Sequence, residues 1–343
     1  MHRTKIIAEI GVNHNGSIVL AKKLIDKAKI LGADFVKFQI FDPDELAHTQ
    51  SKKADYQSRE LGLKLSQHSM LKKLMLTYDN HIDLFNYAKT KNIKYLASGF
   101  SIKDFLLIKK LGCEYLKVPS GEITNFQLLS FLSRLNKKII ISSGASDLKD
   151  IKKALNLMKK NGQKLKNIVL MHCTSAYPAP LNEINLNVLD TFKEKFKIEI
   201  GYSDHTDDVV TSSIAVAKGA RIIEKHFTLD NKFKGPDHKA SLNPKKFKLM
   251  IENIKKTEIL LGSSKKLPTL SEKKNAKLIR KGIYARRKIY KNEIFTEKNL
   301  ILLRPEHQNK ASNWFKILGT KAAQNYNEFE KIKYEKKNMR NNK

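Results

Sequence analysis

The chain has 343 residues, of which 41% are hydrophobic, and its formal net charge at pH 7 is +32. This length and apolar content argue against general disorder and suffice for one large domain and a small one. Its two cysteines, Cys113 and Cys173, have no metal-type or redox spacing, and no stretch approaches the ~18 apolar residues of a membrane span. We therefore expect a soluble, cytoplasmic protein with no membrane partner.

The positive charge is spread along the whole sequence. Lysines recur in "KKLIDKAK", "IKKALNLMKK" and "NPKKFKLMIENIKK", where they alternate with apolar residues at helical spacing. This pattern is typical of the solvated faces of amphipathic helices. A polyanion-binding protein is the alternative that the charge raises, but a nucleic-acid footprint is usually gathered into one patch. We expect no nucleic-acid partner.

Short apolar runs alternate with helical patterns from the start of the chain to about residue 261. The predicted strands are 5–13, 35–41, 94–100, 114–120, 138–144, 167–174, 198–204 and 221–227. In the intervening helices, Gly32 is a predicted end, Ser146 a predicted cap, and Asn243 with Pro244 a predicted start. Eight such units in this length predict an α/β fold, the (β/α)8 TIM barrel. An open doubly wound sheet is the alternative, and the absence of a glycine-rich turn after the first strand disfavours it.

The composition predicts further divisions of the chain. We assign residues 1–262 to the barrel, 263–283 to a polar linker, 284–337 to a small C-terminal domain and 338–343 to a basic tail. The segment 42–79 is far longer than the usual βα loop. It is either a lid over the active-site face or a surface excursion with one packed helix.

The predicted carboxyl ends of the strands carry polar residues, and in barrel enzymes those ends form the active site. Lys37 and Lys117, together with small residues in "PSGE" and "ISSGAS" before helix starts, favour a phosphate or carboxylate ligand. His205 and His226 end adjacent strands, so their imidazoles can share one divalent ion of the manganese, iron, cobalt or zinc type. Glu9 lies within the apolar run "IIAEIGV", where burial is expected to raise its pKa and suit it to acid/base work.

The motifs "AEIGVNHNGS", "VKFQ", "KVPSGE", "HCTSAYPAP", "GYSDHT", "IEKHFTLD" and "GPDHKAS" resemble, in this order, those of the sialic acid synthase family. The resemblance covers nearly the whole chain. The C-terminal module, which contains "LLRP", resembles the antifreeze-like (SAF) domain of that family. The resemblance thus implies a (β/α)8 barrel followed by a small SAF domain.

The resemblance also implies an activity: condensation of phosphoenolpyruvate with an open-chain N-acetylated amino sugar and release of phosphate. Glu9 would serve acid/base chemistry, and His205 and His226 would bind Mn²⁺ or Mg²⁺. The residues implied for phosphoenolpyruvate are Lys37, Ser98, Lys117, Ser120, Ser142 and Ser203. Those implied for the sugar are Gln39, Glu122, Tyr177, Asp237 and Arg304. Arg304 would come from a partner subunit, because family members resemble domain-swapped homodimers.

Substrate choice is the finer question. N-acetylneuraminate synthase, which uses N-acetylmannosamine, is the favoured hypothesis, since "GPDHKAS" is similar to the N-acetylneuraminate and legionaminate branches. A legionaminic or pseudaminic acid synthase that uses a 2,4-diacetamido hexose is the alternative. A third hypothesis is a metal-dependent pyruvate aldolase, which would release no phosphate and have little need for both lysines.

Overall fold

A closed barrel of eight parallel strands forms the centre of the first of two units. The computed structural model describes residues 3–53, 57–58 and 66–333. The first unit ends at Gly262 and the second begins at Ser263. Within the described residues, no helix has the length and apolar character needed to cross a membrane.

Each barrel strand pairs with the next in parallel, and β8 closes the circle against β1. The strands are β1 Lys5–Gly11, β2 Phe35–Ile40, β3 Lys94–Gly99, β4 Tyr115–Val118, β5 Lys138–Ser142, β6 Ile168–His172, β7 Glu199–Asp204 and β8 Ile222–His226. This topology confirms the predicted (β/α)8 barrel and excludes the open sheet, which would leave two edge strands unpaired.

Helices connect the strands on the outside. Their bounds are Ile18–Leu31, Pro43–Leu46, Gln67–Leu74, Tyr78–Thr90, Ile102–Leu111, Phe126–Ser133, Leu148–Lys160, Val188–Phe196, Thr211–Ala217 and Pro244–Leu261. Gly32 ends the first of them with a left-handed φ of 97°, and Asn243 caps the last, as predicted. The predicted Ser146 cap is wrong. Asp147 is the cap, because its carboxylate accepts the N–H groups of Lys149 and Asp150.

Two apolar layers hold the barrel. The larger one fills the space between strands and helices, and includes Ile200, Tyr202 and Ile223 on the outer face of β7 and β8. The smaller one fills the barrel interior towards the N-terminal ends of the strands. It consists of Ile7, Phe35, Leu96, Tyr115, Ile140, Val169, Met171 and Ile222. Since side chains alternate along a strand, the next inward-facing positions form a separate layer at the carboxyl ends.

An irregularity in β1 shapes that upper layer. Glu9 pairs with Lys37, but the next pair joins Gly11 to Phe38, so β1 contains an extra residue at this point. Gly11 has a φ of +54°, and a Cβ on it would lie 3.1 Å from Glu9 Oε1 and 3.3 Å from Gln39 Nε2. Such bulges re-aim side chains next to active sites, and here only glycine combines this backbone angle with this approach.

The described part of the segment 42–79 is packed against the barrel top. Helix Gln67–Leu74 buries Met70, Leu71 and Leu74 in a cluster with Val12 and Phe41. This packing fits the predicted surface excursion. The lid hypothesis depends on positions 54–56 and 59–65, which lie outside the described residues.

The second unit is small and has its own apolar core. Helix Leu270–Ile279 lies in the segment predicted as a linker and has no buried residue. Strands β9 Gly282–Ala285 and β10 Leu300–Leu303 pair antiparallel, and a short helix spans Trp314–Ile317. The core is formed around Ile283, Ala285, Ile289, Phe295, Leu300, Ile317, Ala322, Tyr326 and Ile332. Its assignment as an antifreeze-like domain stays a prediction, and the predicted basic tail lies outside the described residues.

Candidate active site

Four charged side chains form an ionic layer at the carboxyl end of the barrel interior. Glu9, Lys37, Lys117 and Glu224 come from β1, β2, β4 and β8, and each is at most 4% exposed. Lys37 Nζ lies 3.3 Å from Glu9 Oε2 and 3.1 Å from Glu224 Oε1. Lys117 Nζ lies 3.7 Å from the same Glu224 oxygen. The two cations therefore share one carboxylate, Glu224, while Glu9 faces only Lys37 directly.

Burial and pairing separate the two carboxylates. Burial raises the pKa of Glu9, as predicted, and the opposing charge of Lys37 does not cancel the effect. At Glu224 burial acts in the same direction, but the charges of Lys117 and Lys37 outweigh it and hold its pKa below the usual range. The two carboxyl groups are thus shifted in opposite directions: burial favours the protonated form of Glu9, and the two lysines favour the ionised form of Glu224.

Three buried serines lie on β3, β5 and β7, and two of them contact the ionic layer. Lys117 Nζ donates to Ser142 Oγ at 2.5 Å, at the end of β5. Ser203 Oγ donates to Glu224 Oε1 at 3.0 Å. Ser98 is buried at the end of β3, where its hydroxyl approaches the carbonyl oxygen of Phe38 at 3.5 Å.

The turn after β5 contains a backbone N–H group that donates to the hydroxyl group of another serine, Ser120. Gly144 N–H donates to Ser120 Oγ at 3.1 Å, and Ser120 Oγ lies 3.2 Å from Cys173 Sγ. A Cβ on Gly144 would lie 2.2 Å from Ser175 Oγ and 2.8 Å from Ser120 Oγ. The backbone can approach these hydroxyl groups only because residue 144 is glycine.

His205 and His226 lie together, as the sequence predicted, with ring centroids 5.5 Å apart. Tyr177 stacks on His205 at 4.3 Å and meets His226 edge-on at 5.4 Å. His205 Nδ1 donates to the carbonyl oxygen of Thr174 at 2.7 Å, which leaves the lone pair on Nε2. Ser203 Oγ lies 3.1 Å from that Nε2.

The chemistry of the two imidazoles fits a divalent metal ion. Burial lowers the pKa of His205 to about 4 and that of His226 well below its ordinary value, so both rings are neutral at pH 7. His226 Nδ1 is buried without a hydrogen-bond partner among the described residues. Those residues contain no cluster of three or more His, Cys, Asp or Glu side chains placed to hold a metal. The protein therefore offers two nitrogen ligands, and water or substrate would supply the others.

Asp237 and Gln39 border the ionic layer near Glu9. Gln39 Nε2 donates to Glu9 Oε1 at 3.1 Å. Asp237 lies in the loop after β8, and its buried Oδ1 has no hydrogen-bond partner in the described part of the chain. Burial, with a smaller contribution from the charge of Glu9, raises the pKa of Asp237 to about 7. Asp237 can therefore hold a proton near neutral pH, and burial shifts the pKa of Glu9 in the same direction.

Two further predicted site residues make other contacts or belong to the second unit. Glu122 is half-buried in the turn Ser120–Glu122, and its carboxylate accepts a hydrogen bond from Asn125 Nδ2 at 2.7 Å. Arg304 is exposed and belongs to the second unit, directly after β10.

Glu224 is the central residue that the sequence reasoning missed. It lies two positions before His226 in "RIIEKHF", so the two side chains share the inner face of β8. Alternation along β2 places Lys37 and Gln39 on one face in the same way. Glu224 was not predicted as a site residue because its neighbours are apolar, and a near-continuous apolar run indicates a buried strand.

Comparisons with known proteins agree with this geometry. The model of the NeuB family matches residues 24–266. The chain is 46% identical to the N,N'-diacetyllegionaminic acid synthase of Campylobacter jejuni, over 97% of this chain and 100% of that protein. It is 39% identical to the protein of the same name from Legionella pneumophila, over 93% and 90% of the two chains. The crystal structure of N-acetylneuraminic acid synthetase from Leptospira borgpetersenii, in complex with citrate, is 30% identical, with a TM-score of 0.70 over 80% of this chain and 90% of that one.

The barrel, its ionic layer and these similarities define an enzyme, a synthase of the nonulosonic acid class. The chain belongs to the NeuB family.

Proposed function

We propose that this enzyme condenses phosphoenolpyruvate with a 2,4-diacetamido hexose of the legionaminate branch and releases phosphate. The observation that carries the reaction type is the pair of buried lysines, Lys37 and Lys117, the second of which contacts the hydroxyl group of Ser142. A small, multiply charged anion is the ligand that such a pocket can stabilise. A pyruvate aldolase would bind a single carboxylate, so two buried lysines favour the enol phosphate.

The substrate branch rests on relatives. Two legionaminate synthases are 46% and 39% identical to this chain, whereas the N-acetylneuraminate enzyme of known structure is 30% identical. The alternative raised by the sequence is therefore better supported than the N-acetylneuraminate hypothesis.

The assigned roles of the charged residues follow from their environments. Lys37 and Lys117 would balance the phosphate and carboxylate charges of phosphoenolpyruvate, assisted by the hydroxyl groups of Ser98, Ser120, Ser142 and Ser203. Glu224, the ionised carboxylate between the lysines, would keep both in place. A cation pair held this way needs no reorganisation as charge develops during the reaction.

Glu9 would move the proton at the attacked centre. After the methylene carbon of phosphoenolpyruvate has joined the sugar aldehyde carbon, water adds to the C2 carbon and the C–O bond to phosphate breaks. A carboxyl group whose pKa is raised by burial can exchange a proton with that water. Gln39 fixes the Glu9 carboxyl by its 3.1 Å hydrogen bond.

The remaining residues would recognise the sugar. Gln39 contacts Glu9, Tyr177 contacts both imidazoles, and Asp237 lies near Glu9. Glu122 lies in the turn after β4. His205 and His226 would hold a divalent ion, with Mn²⁺ favoured over Mg²⁺ because the protein ligands are nitrogens. Such an ion supplies Lewis acidity towards a carbonyl oxygen. Arg304 would reach the N-acetyl group from a partner subunit in a domain-swapped homodimer.

Phosphate release by the purified enzyme tests the proposal. Reactions with phosphoenolpyruvate and Mn²⁺ would contain a 2,4-diacetamido hexose of the legionaminate series, its pseudaminate counterpart or N-acetylmannosamine, each with and without a chelator. We expect the fastest release with the legionaminate precursor and little release after chelation. Faster release with N-acetylmannosamine would support the N-acetylneuraminate synthase hypothesis instead. No release with any sugar would contradict the use of phosphoenolpyruvate and favour the aldolase.

A further inference from the structure

A second buried ion pair lies behind the two histidines, on the opposite face of the same strands. Lys225 Nζ is 2.9 Å from Asp204 Oδ1, and both side chains are 0% exposed. Asp204 and Lys225 are paired across β7 and β8, directly before His205 and His226 in the chain. Because side chains alternate, this pair faces the surrounding helices while Ser203 and Glu224 face the barrel interior.

The ammonium group of Lys225 binds the loop that carries His205. It donates to the carbonyl oxygen of Thr206 at 2.7 Å, and it lies 3.1 Å from Thr206 Oγ1 and 3.2 Å from the carbonyl oxygen of Asp208. One residue of β8 thus contacts the chain on both sides of His205, at positions 204 and 206, and lies next to His226 itself.

Asp204 completes the connection. Its Oδ1 accepts the Thr206 N–H at 2.9 Å and the Thr206 hydroxyl at 2.7 Å. Its Oδ2 accepts the hydroxyl of Ser212, in helix Thr211–Ala217, at 2.7 Å. Both oxygens are satisfied by the protein, so this pair offers no site for a ligand.

Stability alone does not account for this pair. Replacing a buried ion pair by well-packed apolar residues is often neutral or stabilising, because desolvation offsets the attraction of the charges. The other outward positions nearby, Ile200, Tyr202 and Ile223, are apolar and belong to the main core. On these two strands the outward-facing apolar positions give way to charged residues at Asp204 and Lys225, each of which directly precedes a histidine.

We propose that Lys225 and Asp204 are positioning residues that hold the imidazoles of His205 and His226 at the spacing one divalent ion requires. The pair acts through the backbone of residues 204–206 and through the strand pairing of Lys225, and it contacts no substrate. This inference rests on the metal site of the proposed function.

Binding of Mn²⁺ in the absence of substrate, followed by electron paramagnetic resonance, tests the inference without a need for turnover. The variant is the double substitution Asp204→Asn with Lys225→Met, which removes both charges together and leaves no unpaired buried ion. We expect its dissociation constant for Mn²⁺ to rise about 10-fold, the scale seen when groups that orient metal ligands are removed. His205→Ala serves as the reference for loss of a ligand.

The matched control is Lys5→Met, which breaks an ion pair of β1 at the other end of the barrel, 3.1 Å from Glu114. We expect this variant to bind Mn²⁺ like the wild type, and circular dichroism should show an intact barrel in both variants. Wild-type affinity in the double variant would overturn the inference and leave the pair a structural feature. If the wild-type enzyme itself binds no Mn²⁺, the metal site and the inference both fail, while phosphate release still decides the proposed reaction.

Discussion

The two ends of the barrel carry the same kinds of charged side chain and use them differently. At the N-terminal end, Lys5 Nζ lies 3.1 Å from Glu114 Oε1 and 2.6 Å from Tyr115 OH. Lys94 Nζ lies 2.5 Å from the other oxygen of Glu114. These groups are partly exposed to water and pair with one another.

At the carboxyl end the charges are removed from water and left incompletely satisfied. Glu224 Oε2, His226 Nδ1 and Asp237 Oδ1 are buried and have no hydrogen-bond partner within the described residues. Buried polar atoms without partners cost stability, so natural proteins keep few of them. The difference indicates that the N-terminal end serves stability and the carboxyl end serves binding, as in other barrel enzymes.

The largest expected difference is between two lysine substitutions, one at each end of the barrel. Lys117→Met should lower kcat/KM for phosphoenolpyruvate by ~10²–10³-fold, because it removes a preorganised charge from a water-excluded site. Lys94→Met, at a position that is 61% exposed, should change kcat/KM less than about twofold, since exposed pairs contribute little. Steady-state phosphate release measures both. A similar loss in the two variants would contradict the division of roles.

A smaller effect, on the KM for the sugar, tests whether a residue of the second unit contributes to sugar binding. If Arg304 contacts the sugar from a partner subunit, Arg304→Ala should raise KM for the sugar about 10-fold, on the scale of a hydrogen bond to a charged group. The KM for phosphoenolpyruvate should hardly change. Arg286→Ala, another arginine of the second unit, is the control. Equal changes in both KM values would undo the assigned role of Arg304.

The third prediction concerns the effect of Asp237 on stability. Its pKa in the folded protein is raised to about 7, so between about pH 4 and 7 the folded state keeps a proton that the unfolded state releases. Linkage then lowers the free energy of unfolding as the pH rises through this window, and the loss is complete above pH 7. We expect Asp237→Asn to gain stability over the wild type between pH 5 and 8 in urea unfolding.

Asp190→Asn is the control for this pH dependence. Hydrogen bonds from Lys193 and Lys218 lower the pKa of Asp190 to about 2, so its contribution to stability is lost only in acid, as the pH falls from about 4 towards 2. The difference between this variant and the wild type should not vary between pH 5 and 8. If the stability difference between Asp237→Asn and the wild type were also constant between pH 5 and 8, Asp237 would ionise in the folded protein as it does in the unfolded one.

Much of the fold follows from local patterns in the sequence. Each predicted strand overlaps an observed one, because buried parallel strands are apolar throughout and their helices carry clear ends such as Gly32 and Asn243. The proximity of His205 and His226 followed from adjacent strands in a closed barrel. Their shared position needs only the strand order and the rule that parallel strands end at the same edge.

Other features depend on three-dimensional context. Glu224 was missed because its role depends on Lys37 and Lys117, which are distant in sequence. Asp147 replaces Ser146 as a cap because the exact backbone turn decides which side chain reaches the free N–H groups. The role proposed for Arg304 would depend on a second copy of the chain, whose position does not follow from local sequence patterns.

The tight packing around Gly144 limits how this enzyme can change its substrate during evolution. Any side chain at position 144 would displace the hydroxyl groups of Ser120 and Ser175. Tyr177 and Asp237 also belong to loops, those after β6 and β8, and loops tolerate replacement better than the elements they connect. We therefore expect enzymes that acquire a new sugar to keep Gly144 with the two serines beside it and to change other loop positions such as 177 and 237.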